Sequence, residues 1–107
     1  MSFTTNYDQT IRSIESQLGD LIDQGQEFDL ERKGDVLNIE FEDGEKYVLT
    51  PQAPTGQLWM SANYSGHRFN WDDSSSSWVG EKDGSPLLAM LAELMSTKLG
   101  SKIELSA

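Results

Sequence analysis

The side chains best equipped for chemistry in this sequence are carboxylates, and they crowd the first 45 positions. Asp8, Glu15, Asp20, Asp23, Glu27, Asp29, Glu31, Asp35, Glu40, Glu42, Asp43 and Glu45 stand there against Arg12, Arg32 and Lys33, so this stretch carries −9 of the chain's total −10. At about 100° per residue, Asp8, Glu15, Asp20 and Asp23 are expected on one flank of a first helix. Glu27, Asp29 and Glu31 are expected on the solvent side of the strand that follows. Oxygen ligands suit hard cations such as Fe²⁺, Fe³⁺, Ca²⁺ and Mg²⁺. Carboxylates that are not held in place bind such ions weakly and with little selectivity. The plainer alternative is a solvated helix face that only confers solubility.

A second group lies in the middle of the chain. Alternation over Gln57–Tyr64 sends Leu58, Met60 and Ala62 to one side, and Gln57, Trp59, Ser61 and Asn63 to the other. In the next strand Phe69 and Trp71 point inward and Arg68 and Asn70 outward. Trp59 is thus expected on an open sheet face with Gln57 and Arg68 beside it, a composition typical of interface anchors. The bland alternative is a surface aromatic that packs only on its neighbours.

No catalytic constellation accompanies these groups. His67 is the only histidine and cysteine is absent, which removes disulfides, thiolate metal sites and cysteine nucleophiles. There is no phosphate-binding glycine loop, HExxH, EF-hand spacing or GxSxG. The acidic field opposes nucleic-acid binding and favours cations and basic protein surfaces. No apolar run reaches membrane-spanning length. The N-terminus shows neither a signal-peptide nor a transit-peptide pattern.

The elements that position these groups follow from periodicity. Tyr7, Ile11, Ile14, Leu18, Leu21 and Ile22 form one stripe of a helix over about residues 4–24. Thr5 and Asp8 resemble a capping box, and Gly25 a stop. Gly19 inside the helix costs about 1 kcal/mol relative to Ala. Alternation then predicts strands at Glu27–Arg32, Val36–Phe41, Lys46–Thr50, Gln57–Tyr64, His67–Trp71 and from Trp78. The turns fall at Asp43-Gly44 and Ser65-Gly66, Pro51 and Pro54 punctuate a connection, and Ser74–Ser77 form a polar loop. A second helix starts with Ser85 as cap and Pro86 in its first turn, carries Leu87, Leu88, Leu91, Leu94, Met95 and Leu99, and stops at Gly100. Ile103 and Leu105 pack as a tail. The expected fold is α+β, one domain over residues 1–107. It is a two-layer sandwich with an antiparallel sheet of about six strands and the N- and C-terminal helices packed on one face.

Several of these segments, taken together, resemble the frataxin family. The resemblance is carried by the acidic first helix, Asp35-Val36-Leu37-Asn38-Ile39-Glu40-Phe41, and Pro51-Gln52-Ala53-Pro54-Thr55-Gly56-Gln57-Leu58-Trp59. It continues through His67-Arg68-Phe69-Asn70-Trp71, Trp78, and Asp83-Gly84-Ser85 before the leucine-rich helix, and spans nearly the whole chain. It implies weak iron binding on an acidic ridge, with Asp20, Asp23, Glu27 and Asp29 as matching carboxylates and Asp8, Glu15 and Glu31 at its margins. It also implies contact with a cysteine desulfurase and an iron–sulfur scaffold protein through Gln57, Trp59, Arg68 and Gln52. A monomer in the absence of iron is implied, located in a bacterial cytoplasm, or in the mitochondrial matrix if the source is eukaryotic. Ser16, Gln17 and Gly19 depart from the family's habit of placing acids there, which lowers the implied iron capacity. Some members are credited with ferroxidase activity, but no Glu and His set of the di-iron kind is visible here. The open alternative is an acidic interaction module with no metal role.

Overall fold

The computed structural model describes residues 2–106. The order is α1 (Phe3–Asp23), β1 (Phe28–Lys33), β2 (Val36–Phe41), β3 (Lys46–Gln52), β4 (Gln57–Ala62), β5 (Ser65–Asp72), β6 (Ser77–Gly80) and α2 (Leu87–Leu99). The six strands form one antiparallel sheet in sequence order, β1 to β6. One face of the sheet is covered by both helices and the other is open, as the alternation requires.

The apolar stripe of α1 is the reason the helix lies on the sheet. Tyr7, Ile11, Ile14 and Leu18 are buried, with Leu21 and Ile22 packed at the margin. They meet Leu37, Ile39, Leu49, Leu58, Met60 and Phe69 from the strands and Leu87, Leu91 and Met95 from α2 in one cluster. Truncating such a side chain to Ala costs about 2–5 kcal/mol. The Tyr7 hydroxyl donates to the carbonyls of Asp35 and Leu49, stitching α1 to the sheet, and burial pushes its phenol well above the usual tyrosine range.

Local signals placed both helix starts a little differently from the chain itself. The cap of α1 is Ser2, whose Oγ accepts the Thr5 N–H at 3.2 Å. Thr5 therefore lies inside the first turn and forms no capping box with Asp8. In α2 the cap position is Pro86, without a side-chain cap. Ser85 lies one residue before the cap, where its backbone is tied into the preceding turn: its N–H donates to Asp83 Oδ1 at 3.0 Å and its carbonyl accepts the Gly80 N–H at 2.8 Å. Gly100 ends α2 at φ 68°, a left-handed geometry that suits glycine.

The β4–β5 turn also moves, to Asn63 and Tyr64 with φ of 52° and 61°. Ser65 and Gly66, expected as the turn, already pair with Ala62 and Ser61. Positive φ at both central positions is what a two-residue hairpin of type I′ requires. Past α2, Ile103 is buried and the tail is tied down by two side chains. Ser96 Oγ accepts the Ile103 N–H at 2.8 Å, and the Gln17 amide both donates to the Ser106 carbonyl at 2.7 Å and accepts its N–H at 2.9 Å.

Candidate functional site

Two surfaces carry the sequence-predicted residues. The first is the acidic edge formed by α1, β1 and the β2–β3 turn. Its carboxylates do not share one flank. Asp8 and Glu15 face β1, where Arg32 takes both: Nη1 lies 3.1 Å from Glu15 Oε1 and Nη2 lies 3.4 Å from Asp8 Oδ1. Arg12 adds a second pair with Asp8 at 2.9 Å. Asp20 instead opens onto a groove between Gln17 and Gln24 of the α1 end and Lys102 and Glu104 of the C-terminal tail. Asp23 is exposed at the helix end and Glu27 just before β1. Asp29 and Glu31 project from β1 to the opposite side of the sheet from Arg32, with Lys33 3.7 Å from Glu31.

Beyond Glu27 the edge continues into residues that alternation did not single out. Phe28 pairs with Phe41 in the ladder, which sets Glu27 against Glu42. The Glu27 carboxyl, by hydrogen bond and then by charge, pushes Glu42 above the usual carboxylate range. Lys98 of α2 reaches across to donate to Asp43 and to Glu45, whose side chain is only 5% exposed. The Lys98 hydrogen bond and the Glu45 N–H hold Asp43 below the carboxylate range, while the same bonds raise Lys98. Among the described residues no three His, Cys, Asp or Glu side chains converge to hold a metal ion. The edge therefore offers hard oxygen donors and a negative field, but no preformed cage.

The second surface is the open face of β4 and β5. Ladder register places Thr50, Trp59 and Arg68 in one row, and Gln52, Gln57 and Asn70 in the next. Trp59 is half-buried, and its Nε1 donates to Gln57 Oε1 at 2.9 Å. Gln57 Nε2 in turn donates to Asn70 Oδ1 at 3.2 Å and Glu81 Oε1 at 3.1 Å. Alternation correctly put Gln57 on the outward side, yet it is only 7% exposed because these partners enclose it. The Arg68 guanidinium stacks over the indole, with Cζ 4.8 Å from the ring centroid. The result is a fixed platform: an aromatic ring oriented from below by an amide and covered from above by a cation.

Sequence reasoning missed Arg32 and Glu81 as parts of these surfaces, and it placed Asn70 on the open face without its bond to Gln57. Arg32 did leave a signal, since it falls in phase with the inward residues Phe28 and Leu30. A cation there needs an acid on the covering helix. Glu81 left none, and neither did the Asn70 bond, because both contacts with Gln57 depend on strand register.

Comparison with known proteins places this geometry. The family model described as the Frataxin-like domain matches residues 1–101. An iron-sulfur cluster assembly protein CyaY from Janthinobacterium sp. (strain Marseille) is 36% identical over 96% of this chain and 92% of its own length. The protein of that name from Pseudomonas fluorescens (strain SBW25) is 33% identical, covering 97% of this chain and 96% of its own length. Among solved structures, frataxin from Psychromonas ingrahamii superposes with a TM-score of 0.85 at 21% identity, over the full length of both chains. An N-terminal helix, a six-stranded antiparallel meander and a C-terminal helix are thus shared in fold, and the domain match spans all but the tail: the chain belongs to the frataxin-like family.

Proposed function

We propose that this protein serves iron–sulfur cluster assembly as an iron-binding regulator. In this reading the acidic edge attracts iron and a basic surface of the cysteine desulfurase, while the Trp59 platform meets the scaffold protein. The observation that carries it is the −9 concentrated in residues 1–45, with Asp20, Asp23, Glu27, Asp29 and Glu31 exposed along the end of α1 and the start of the sheet. The names of the CyaY relatives, iron-sulfur cluster assembly proteins, support the process. Exposed oxygen donors without a converging cage favour weak, exchangeable binding of iron as cargo. A dense negative field steers a positively charged partner and sets its orientation.

Reversing Asp20, Asp23, Glu27 and Asp29 to Lys is expected to abolish binding to the desulfurase in calorimetry, with circular dichroism unchanged. Unaltered affinity would defeat the role of this edge. Trp59→Ala is expected to keep the fold and weaken scaffold binding by about thirtyfold, the scale of an interface anchor. A variant that still alters the cluster-assembly rate like the parent removes the platform from the mechanism.

A second reading is favoured by the absence of a converging ligand set among the described residues. Here the protein is an acidic docking module with no metal role. Titration with Fe²⁺ under anaerobic conditions, followed by NMR, separates the two. Broadening confined to the end of α1 and to β1 supports iron binding, and a spectrum without site-specific change supports the plain module.

A further inference from the structure

We infer that Arg32 is a built-in counter-cation that occupies the Asp8–Glu15 end of the acidic edge and confines external cations to its other end, around Asp20, Asp23, Glu27 and Asp29. The inference refines the proposed function and rests on its view of the edge as a cation-attracting surface.

Three observations carry it. First, the Arg32 guanidinium is held from three sides. Nη1 meets Glu15 at 3.1 Å, Nη2 meets Asp8 at 3.4 Å, and Nε donates to the Gly34 carbonyl at 3.1 Å. Second, the Arg32 side chain is only 23% exposed, so the pairing is shielded more than an ordinary surface ion pair. Third, the pairing is selective along the edge. Asp20, Asp23, Glu27 and Asp29 form no salt bridge among the described residues, whereas Asp8 is met by both Arg12 and Arg32. An arriving cation must displace an ordered guanidinium at one end and no ion-paired side chain at the other. Asp8 and Asp20 are twelve residues apart, about 18 Å along the helix, so the two ends are separate targets. Arg is suited to this task because it stays charged and its planar fork serves two carboxylates at once.

The test uses the full chain, Mn²⁺ as the probe, and amide NMR signals as the readout. In the parent, broadening is expected around Asp20, Asp23 and Glu27, with the signals of residues 6–10 retained. Arg32→Gln is expected to spread broadening to residues 6–10 and to tighten Mn²⁺ binding at that end roughly fivefold, the scale of losing two competing ion pairs. Lys82→Gln changes net charge equally on a side chain with no ion pair among the described residues, and is expected to leave the pattern alone. A second pair of variants guards against loss of packing at Arg32. Asp8→Asn with Glu15→Gln should not alter Mn²⁺ binding in the parent, but should erase the gain in Arg32→Gln.

The inference is overturned if residues 6–10 broaden in the parent as strongly as those near Asp20, or if Arg32→Gln leaves the pattern unchanged. If the parent shows no broadening anywhere, the metal reading of the edge fails. The counter-cation role then stands or falls on whether Arg32→Gln alone creates a signal at Asp8.

Discussion

The acidic edge and the Trp59 platform sit on the same small domain but are built on opposite terms. At the edge most carboxylates are exposed and free of each other's hydrogen bonds, and the two cations that are largely buried, Arg32 and Lys98, sit at its extremities. At the platform every polar atom that orients the indole is already engaged: Trp59 with Gln57, and Gln57 with Asn70 and Glu81. In the proposed function the first surface acts by field, which is long-ranged and tolerant of geometry. The other acts by shape, which is short-ranged and pays its ordering cost during folding. A single domain can thus attract a charged body with one surface and seat a specific one with the other.

Ionic strength should separate the two most strongly. Raising salt from 50 to 200 mM halves the screening length, from about 14 to about 7 Å. Association through the edge is expected to slow on the order of tenfold, while scaffold binding at the platform changes little. Equal salt sensitivity at both surfaces, read by stopped-flow kinetics, would erase the distinction.

A smaller effect probes how far the platform depends on preorganisation. Gln57→Leu leaves the Trp59 N–H and the acceptors Asn70 and Glu81 without their partner. Stability is expected to fall by about 1–3 kcal/mol, with weaker scaffold binding and unchanged desulfurase binding. A variant that melts like the parent would mean that water replaces the amide without cost.

The smallest change targets the edge from behind. Gly19 lies in α1, and a Cβ built there meets no atom within 4 Å. Gly19→Ala is expected to stabilise the protein by about 1 kcal/mol, seen as a rise of several degrees in Tm, with no change in desulfurase affinity. An affinity shift would show that flexibility of α1, and not charge alone, serves the edge.

These contrasts also explain what the sequence made legible. Spacing alone located both helices, because Ile11, Ile14 and Leu18 can share a buried face only at helical pitch. Two-residue alternation assigned Leu58, Met60 and Phe69 to the covered side and Trp59 and Arg68 to the open one. It failed where a contact joins distant segments. Asp8 and Glu15 look like neighbours of Asp20 on a helical projection, yet β1 brings Arg32 to them and divides the set. Glu45 reads as a surface residue after a tight turn, but Lys98, 53 positions later, draws it into near-complete burial. The two helix starts were misplaced for a similar reason, since several polar residues near a boundary can cap and competing hydrogen bonds decide among them.

The meander order of the sheet has a consequence for how the chain reaches this structure. Every strand pairs with its sequence neighbour, so the ladder can zip hairpin by hairpin with only short loops to close. The costly closures are those that join the two ends, such as Gln17 to Ser106 across 89 positions. Assembly should therefore proceed outward from the hairpins, with the tail seated last, and native-state hydrogen exchange should find Ser106 among the first amides to open.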